Sequence, residues 1–325
     1  MTSTKPALLT LSDLTKFPEA EPDMIVARCR SVYKVQTRNG NLVVKPLRIG
    51  SGKAVLIGKL LSANVDCPVL PDLVKPDAGG NYWWRQGNRY LITREITGRE
   101  ADYFQIADLK AAIRAMAQFH RYTRQIVRAQ PPGWRLLTFD PMRAWTQAYS
   151  EMETCRRRAI RAGDFWSKQY LKLWYYFSNQ AWQAIYEMES APAAALKVVC
   201  YHDWAHHNVI ISGARAYLID FDALVVDRPT HDRANLIGGY LRLYGWTNRA
   251  LLQLLWNFDQ FYPWFEGELS LLRVYLTFPY DYWMIGRQYY LEQQPWSARY
   301  FQDQWQRKIV PYQAREKVLD LLESI

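Results

Sequence analysis

The chain reads Tyr201-His202-Asp203-Trp204-Ala205-His206-His207-Asn208 and, shortly after, Ile219-Asp220-Phe221-Asp222. An Asp, an Asn five positions later, and a further Asp on an apolar strand-like run constrain this sequence more than any other feature. Phosphoryl transfer from a nucleotide needs that set: a carboxylate to orient the attacking hydroxyl, and an amide and a second carboxylate to hold magnesium. Four of the five histidines, His202, His206, His207 and His231, lie in or just beyond the same stretch.

The surrounding pattern predicts a β-rich region followed by a helical one. Ser31–Thr37 and Asn41–Leu47 flank Arg38-Asn39-Gly40, and Asn-Gly between such runs signals a hairpin because both residues tolerate positive φ. A helix is expected over Ser51–Ala63, with Val55, Leu56, Leu60 and Leu61 on one side. Leu73–Lys75, Tyr82–Arg85 and Tyr90–Thr93, separated by turns at Pro76–Asn81 and Gly87-Asn88, complete a small antiparallel sheet. A short helix is expected near Leu8–Phe17. After Thr97-Gly98-Arg99 the character changes: Ile106, Leu109, Ile113, Met116, Ala117 and His120 recur at helical spacing. Helical patterns then dominate to Ile325, interrupted by Pro131-Pro132-Gly133, by Ala191-Pro192 and by the opening motif. Val209–Ile211 and Ala216–Ile219, on either side of Ser212–Arg215, predict a β-hairpin inside the helical lobe, with Asp203, Asn208 and Asp220 at strand and loop ends beside it. The expected fold class is therefore α+β in two lobes: 1–95 β-rich, 96–325 helical with the catalytic and metal-binding loops.

Composition narrows the functional classes. A formal net charge of +10, with a pI near 9.3, favours polyanionic or phosphorylated partners. The basic excess runs from Lys110 to Lys172 and includes Arg156-Arg157-Arg158; without a recognisable nucleic-acid-binding module beside it, it reads as a solvated helix face. Cys29, Cys67, Cys155 and Cys200 are scattered, so reduced buried thiols are expected in place of a zinc site or a disulfide framework. Met1–Pro22 has no secretory-signal pattern, and no uncharged apolar run reaches membrane-span length. Cytoplasmic synthesis is expected, with later attachment to a surface left open.

In the site so assembled, Asp203 would orient the acceptor hydroxyl, and Asn208 and Asp220 would hold magnesium, a hard cation that takes oxygen ligands. Lys45, on the second strand of the first hairpin, would hold the α- and β-phosphates of ATP or another nucleoside triphosphate. Each residue alone has a plainer reading: a strand lysine is usually solvated, and an Asp before an aromatic is usually a turn or cap residue. Their joint order, Lys on a hairpin, then Asp and Asn, then Asp on a strand, is what carries the expectation. His202, His206 and His207 offer a metal site as a competing reading, but adjacent loop histidines do not converge easily on one ion. His120 reads as a core histidine, and His231-Asp232 as support for the loop after the second Asp. The aromatic runs at 173–177 and 280–283 read as core, with some side chains available to an acceptor pocket.

Cys200–Asn208 with Ile219–Asp222, together with Tyr90–Arg99 and Phe278–Trp283, resemble the aminoglycoside phosphotransferase and choline kinase-like branch of the protein-kinase fold, and within it the CotS-type spore coat kinase-like proteins. The resemblance covers the chain from about Ser31 onward. It implies ATP and magnesium between two lobes, with adenine meeting backbone groups of Thr93, Arg94, Glu95 and Ile96. It also implies a small-molecule or sugar hydroxyl as acceptor, and the developing spore coat, with its other coat proteins, as a destination. Asp222 and Trp204 stand as accessory candidates.

The chain departs from the family pattern in three places. Tyr201 replaces the catalytic-loop His, and His202 replaces the Gly. Cys29-Arg30-Ser31-Val32 occupies the place of a phosphate-covering turn, with no Gly-rich loop. No acidic residue lies between Lys45 and Asp66, although a kinase lysine is usually oriented by a helix Glu. Lys45 is then either poorly held or paired with a carboxylate from elsewhere. A kinase-fold protein with a structural or assembly role in the coat therefore remains the alternative to a phosphotransferase.

Overall fold

A computed structural model describes residues 22–29, 32–37, 39–47, 49–62, 67–75, 80, 82–85, 87–129, 137–191 and 196–325 of the chain. The helix expected near Leu8–Phe17, and the turn residues Arg30, Ser31, Arg38, 76–79 and 131–133, lie outside them. The chain forms two compact units. One comprises 1–138 with 197–226, the other 139–196 with 227–325.

The first unit is built on an antiparallel sheet of β1 (Pro22–Cys29), β2 (Val32–Thr37), β3 (Gly40–Pro46), β4 (Trp83–Arg85) and β5 (Asn88–Arg94), in the order β1-β2-β3-β5-β4. The β2–β3 turn closes at Gly40, whose φ of +107° suits the expected Asn-Gly hairpin. Alternation along β2 and β3 sends Tyr33, Val35, Leu42 and Val44 into a core shared with Val74, Tyr90 and Ile92. Lys45 follows Val44 and so projects from the opposite face, paired in register with Leu91. Leu73 forms only an isolated bridge to Thr93, not a strand. Strand β1 was not foreseen, since its opening Pro-Asp reads as loop.

Helix α1 (Ser51–Ser62) buries Ala54, Ile57, Leu60 and Leu61, one face at helical spacing, together with Leu56. Val55 is the exception to the expected face; it points outward because it falls a third of a turn from that stripe. A short strand, β6 (Arg99–Glu100), leads to α2 (Ile106–Arg128), whose buried face carries Leu109, Ile113, Met116, Ala117 and His120 as the periodicity predicts, while Ile106 is exposed at its start. Arg99 clamps the buried Asp108 in the first turn of α2 through two bonds of 2.5 and 2.8 Å. Strand β7 (Val198–Cys200) lies fully buried against α2, where Thr123 Oγ1 and the backbone of Val199 bond to each other. The predicted hairpin follows as β8 (Val209–Ser212) and β9 (Arg215–Leu218), and β10 (Val225–Asp227) comes after the second Asp. Gly98 permits β6 to pair with β8: a Cβ there would sit 2.4 Å from the Ile211 carbonyl oxygen.

The second unit is helical: α3 (Pro141–Ala162), α4 (Phe165–Lys172), α5 (Trp174–Ser190), α6 (Pro229–Tyr244), α7 (Asn248–Phe261), α8 (Glu268–Thr277), α9 (Tyr280–Gly286), α10 (Ala298–Lys308) and α11 (Tyr312–Ser324), with a π-helical turn at Arg287–Leu291. Its aromatic runs are core only in part: Trp174, Phe177 and Tyr282 are buried, with Tyr170 stacked on Tyr282 at 4.5 Å, whereas Tyr175 and Tyr280 are exposed because successive helix positions face core and solvent in turn. Arg156 bonds to Glu153 and lies over Trp174, Arg157 donates to Thr154, and Arg158 donates to the Tyr290 carbonyl, so this basic cluster is spent on local contacts. His231 Nδ1 bonds Asp227 at 2.6 Å and its ring stacks on Tyr275, which fits the supporting role expected of it. Cys67, Cys155 and Cys200 are buried thiols outside any disulfide. None of the described helices is long and apolar enough to cross a membrane.

Arg315 is a buried cation that donates to Gln180 Oε1 and to the carbonyls of Leu276 and Thr277, capping the C-terminus of α8; burial lowers its pKa to about 10. Arg315→Leu strands those acceptors and is expected to cost about 3 kcal/mol in denaturant unfolding. A loss below 1 kcal/mol would show that the carbonyls find other donors.

Candidate active site

The hairpin explains how two distant oxygen donors become neighbours. Val209 pairs with Leu218, and the Ile219 amide donates to the Asn208 carbonyl at 3.0 Å. Asn208, one residue before β8, and Asp220, two residues after β9, therefore sit together at the open end of the hairpin. Asn208 is buried in a 3₁₀ turn (His206–Asn208), and its Nδ2 donates to the Asp203 carbonyl at 3.4 Å, which leaves Oδ1 as its acceptor end. Asp203 is half-buried in the same loop.

Tyr201 takes over the bracing position. Its fully buried hydroxyl donates to the Ile219 carbonyl and approaches the Asn208 carbonyl at 3.3 Å, tying the first loop to the run that ends in Asp220. Phe119, Trp204 and Phe221 surround its ring edge-on. Trp204 is buried and acts through its backbone, whose carbonyl accepts from the Tyr103 hydroxyl at 3.1 Å. Its side chain belongs to this aromatic packing.

Left-handed backbone concentrates here. Among the described residues, His202, Asp220 and Gln293 are the non-glycine positions with positive φ, and two of the three belong to the site, at 72° and 62°. His202 occupies the position where the family pattern has Gly, and its φ of 72° is one that Gly adopts freely. His206 and His207 are exposed, with rings perpendicular to each other.

Lys45 reaches this assembly from β3. Its Nζ lies 2.5 Å from Asp220 Oδ1 and 2.9 Å from Asp222 Oδ2. The pairing brings Lys45 to Asp220 and Asp222, while Asn208 is tied to the same run through the Ile219 amide and to Asp203 through that residue's carbonyl. Asp222 joins them more closely than its accessory rank in the sequence implied. Lys53, in the first turn of α1, is a residue the sequence reading missed; burial lowers its pKa below the ordinary lysine range, and nearby Asp222 opposes that shift. A cation in that helix where an acid is customary was the available signal.

The Thr93–Ile96 segment leaves β5 with its polar groups partly committed. The Arg94 amide donates to the Asp72 carbonyl and the Glu95 amide to the Asn41 carbonyl, each at 2.9 Å. The Glu95 carboxylate accepts from Lys34 at 2.5 Å and from Asn41 at 2.8 Å; the Lys34 bond in particular holds its pKa below the usual range. Thr93 is buried in the strand.

With an amide, carboxylates and a strand lysine so arranged about the hairpin, the chain belongs to the phosphotransferase enzyme family, whose model it matches over residues 30–263. Among individual proteins, it is 21% identical to Spore coat protein S of Bacillus subtilis (strain 168) over 312 residues, covering 91% of this chain and 88% of that one. Its fold is similar to an aminoglycoside phosphotransferase from Alicyclobacillus acidocaldarius, with a TM-score of 0.81 at 16% identity, covering 99% and 98% of the two chains. It is also similar to a spectinomycin phosphotransferase solved with ADP and spectinomycin (TM-score 0.68, 11% identity, 93% of each chain). A choline/ethanolamine kinase family protein from Mesorhizobium loti shares the fold as well (TM-score 0.59, 12% identity, 97% and 98%). The α+β, kinase-like architecture expected from the motifs is thus the observed one.

Two substitutions test the brace. Tyr201→Phe removes the hydroxyl from two buried carbonyls and is expected to lower stability by about 1–2 kcal/mol. His202→Gly relieves a left-handed residue and is expected to raise stability by up to about 1 kcal/mol. Chemical denaturation measures both; a neutral Tyr201→Phe would mean that the hydroxyl bonds contribute nothing net.

Proposed function

We propose that this chain is an ATP- and magnesium-dependent phosphotransferase that phosphorylates a hydroxyl of a small molecule or sugar and is associated with the spore coat. The observation that carries the reading is the ion pair between Lys45 and Asp220, which joins residues 175 positions apart at the mouth of the Asn208–Asp220 hairpin. Neighbours solved with ADP, or with AMP-PNP and Ca2+, support nucleotide binding at such a site. The similarity to Spore coat protein S supports the destination, with other coat proteins as partners.

In this reading residues 1–95 form the nucleotide-binding lobe and 96–325 the catalytic one. Asn208 Oδ1 and the Asp220 carboxylate offer hard oxygen donors, which suit magnesium. Bound there, the ion would neutralise charge developing on the phosphate oxygens. Lys45 contributes a compact positive charge toward the α- and β-phosphates. Asp203 accepts a hydrogen bond from the acceptor hydroxyl and aims it at the phosphorus. Adenine contacts fall to backbone groups of the Thr93–Ile96 segment, in which the Arg94 and Glu95 amides are already bonded.

A second reading, a kinase-fold protein with a structural or assembly role in the coat, draws on the same relative and on the helix that supplies no acid to Lys45. Thermal unfolding with and without ATP and magnesium separates the two. The phosphotransferase reading expects the melting temperature to rise, since a ligand at a hundred times its Kd stabilises the native state by about 2.7 kcal/mol. Asp220→Ala should abolish the shift. Asp203→Ala should keep it while lowering turnover roughly a hundredfold or more. No shift at millimolar nucleotide removes the phosphotransferase reading and leaves the structural one.

A further inference from the structure

A strand lysine that holds phosphates must itself be aimed, because a flexible four-carbon chain otherwise loses affinity to rotamer entropy. Kinases aim it with a Glu on the following helix. Helix α1 reads Ser-Gly-Lys-Ala-Val-Leu-Ile-Gly-Lys-Leu-Leu-Ser and contains no acid at all. It presents a cation, Lys53, within coulombic range of Asp222.

The two carboxylates that meet Lys45 are not equivalent. Asp220 is the more exposed, with a side chain at 47% of full accessibility, and it neighbours Asn208 at the mouth of the hairpin. Asp222 is at 34%; its Oδ2 bonds Lys45, while its Oδ1 is buried with no hydrogen-bond partner. Phe221 between them is buried and anchors a 3₁₀ turn (Phe221–Ala223), closed by the Leu224 amide on the Phe221 carbonyl at 3.3 Å. That turn fixes the backbone of Asp222 independently of any ligand. If Asp220 is engaged by a metal, Asp222 is the acid that remains on Lys45.

We propose that Asp222 is the positioning residue of Lys45, replacing the helix acid, and that the charges have changed places: the acid stands on the metal-binding loop and a cation, Lys53, on the helix. This rests on the phosphotransferase reading of the same site. The competing assignment is that Asp222 is a further metal ligand.

The test is a double-mutant cycle on binding of the non-hydrolysable analogue AMP-PNP, measured by calorimetry across a series of magnesium concentrations. Asp222→Asn should weaken binding by about tenfold or more. Lys45→Met and the Lys45→Met/Asp222→Asn double variant should bind equally, because the carboxylate acts only through the lysine. The magnesium dependence of Asp222→Asn should match that of the wild type, whereas that of Asp220→Ala should not, and Asp222→Glu should recover part of the loss. Asp222→Ser serves in the same cycle if Asp222→Asn does not fold. An undiminished effect of Asp222→Asn in the Lys45→Met background, a shifted magnesium dependence, or no weakening would each overturn the proposal. A wild-type protein that binds no AMP-PNP would overturn the phosphotransferase reading itself.

Discussion

The contact on which the candidate site depends is that of Lys45 with Asp220 and Asp222. A lysine on β3 and two carboxylates after β9 come within 2.5 and 2.9 Å of one another although 175 residues separate the first pair. No local propensity produces such a meeting. It requires the sheet core under Val44 and Ile92 to set the strand, and the hairpin to present the acids. Further bonds hold the same parts of the first unit together: the Leu218 amide donates to the Val69 carbonyl at 2.9 Å, and the Tyr122 hydroxyl to the Leu60 carbonyl at 3.3 Å. Where charges are partly exposed, the pair itself adds little stability, so the surrounding packing holds the charges in place and not the reverse.

The loops bearing Asp203, Asn208 and Asp220 are held by backbone and side-chain bonds together. The Asn208 carbonyl accepts from the Ile219 amide, and Tyr201 reaches over both carbonyls from below. Two residues in left-handed conformation, His202 and Asp220, persist in this frame. Such conformations survive where the surroundings over-determine them, and they recur where a side chain must be aimed. Where the family pattern has His and Gly, this chain has Tyr201, whose hydroxyl braces the loop, and His202 in left-handed backbone.

Family membership and fold describe what such a chain is built from, and the site decides what it does. Asp203, Asn208 and Asp220, to which we assign the roles of base and metal ligands, are present. The helix after Lys45 carries the cation Lys53 and no acid, while Asp222 pairs with Lys45 at 2.9 Å. A chain similar both to a spore coat protein and to an aminoglycoside phosphotransferase thus carries, in our proposal, a site whose acids are redistributed.

Much of this was legible in the residues alone. Asp203, Asn208 and Asp220 stood out as candidates because their types and spacing suit one chemistry, and the hairpin between the last two was readable because apolar runs flank a turn. Lys45 was readable only in company. The strand Pro22–Cys29 was hidden by its Pro-Asp opening, and Val55 was placed on the wrong side of its helix because local periodicity fixes a stripe only to within a residue. What Tyr201 bonds, and which carboxylate holds Lys45, could not be read from the chain. Both depend on atoms brought together from strands far apart in sequence. The sequence by itself determined the chemical parts and their local elements, through short-range sterics and periodicity. Only the tertiary structure decided their partners, because a hydrogen bond or ion pair is set by distances of a few ångströms that sequence separation does not encode.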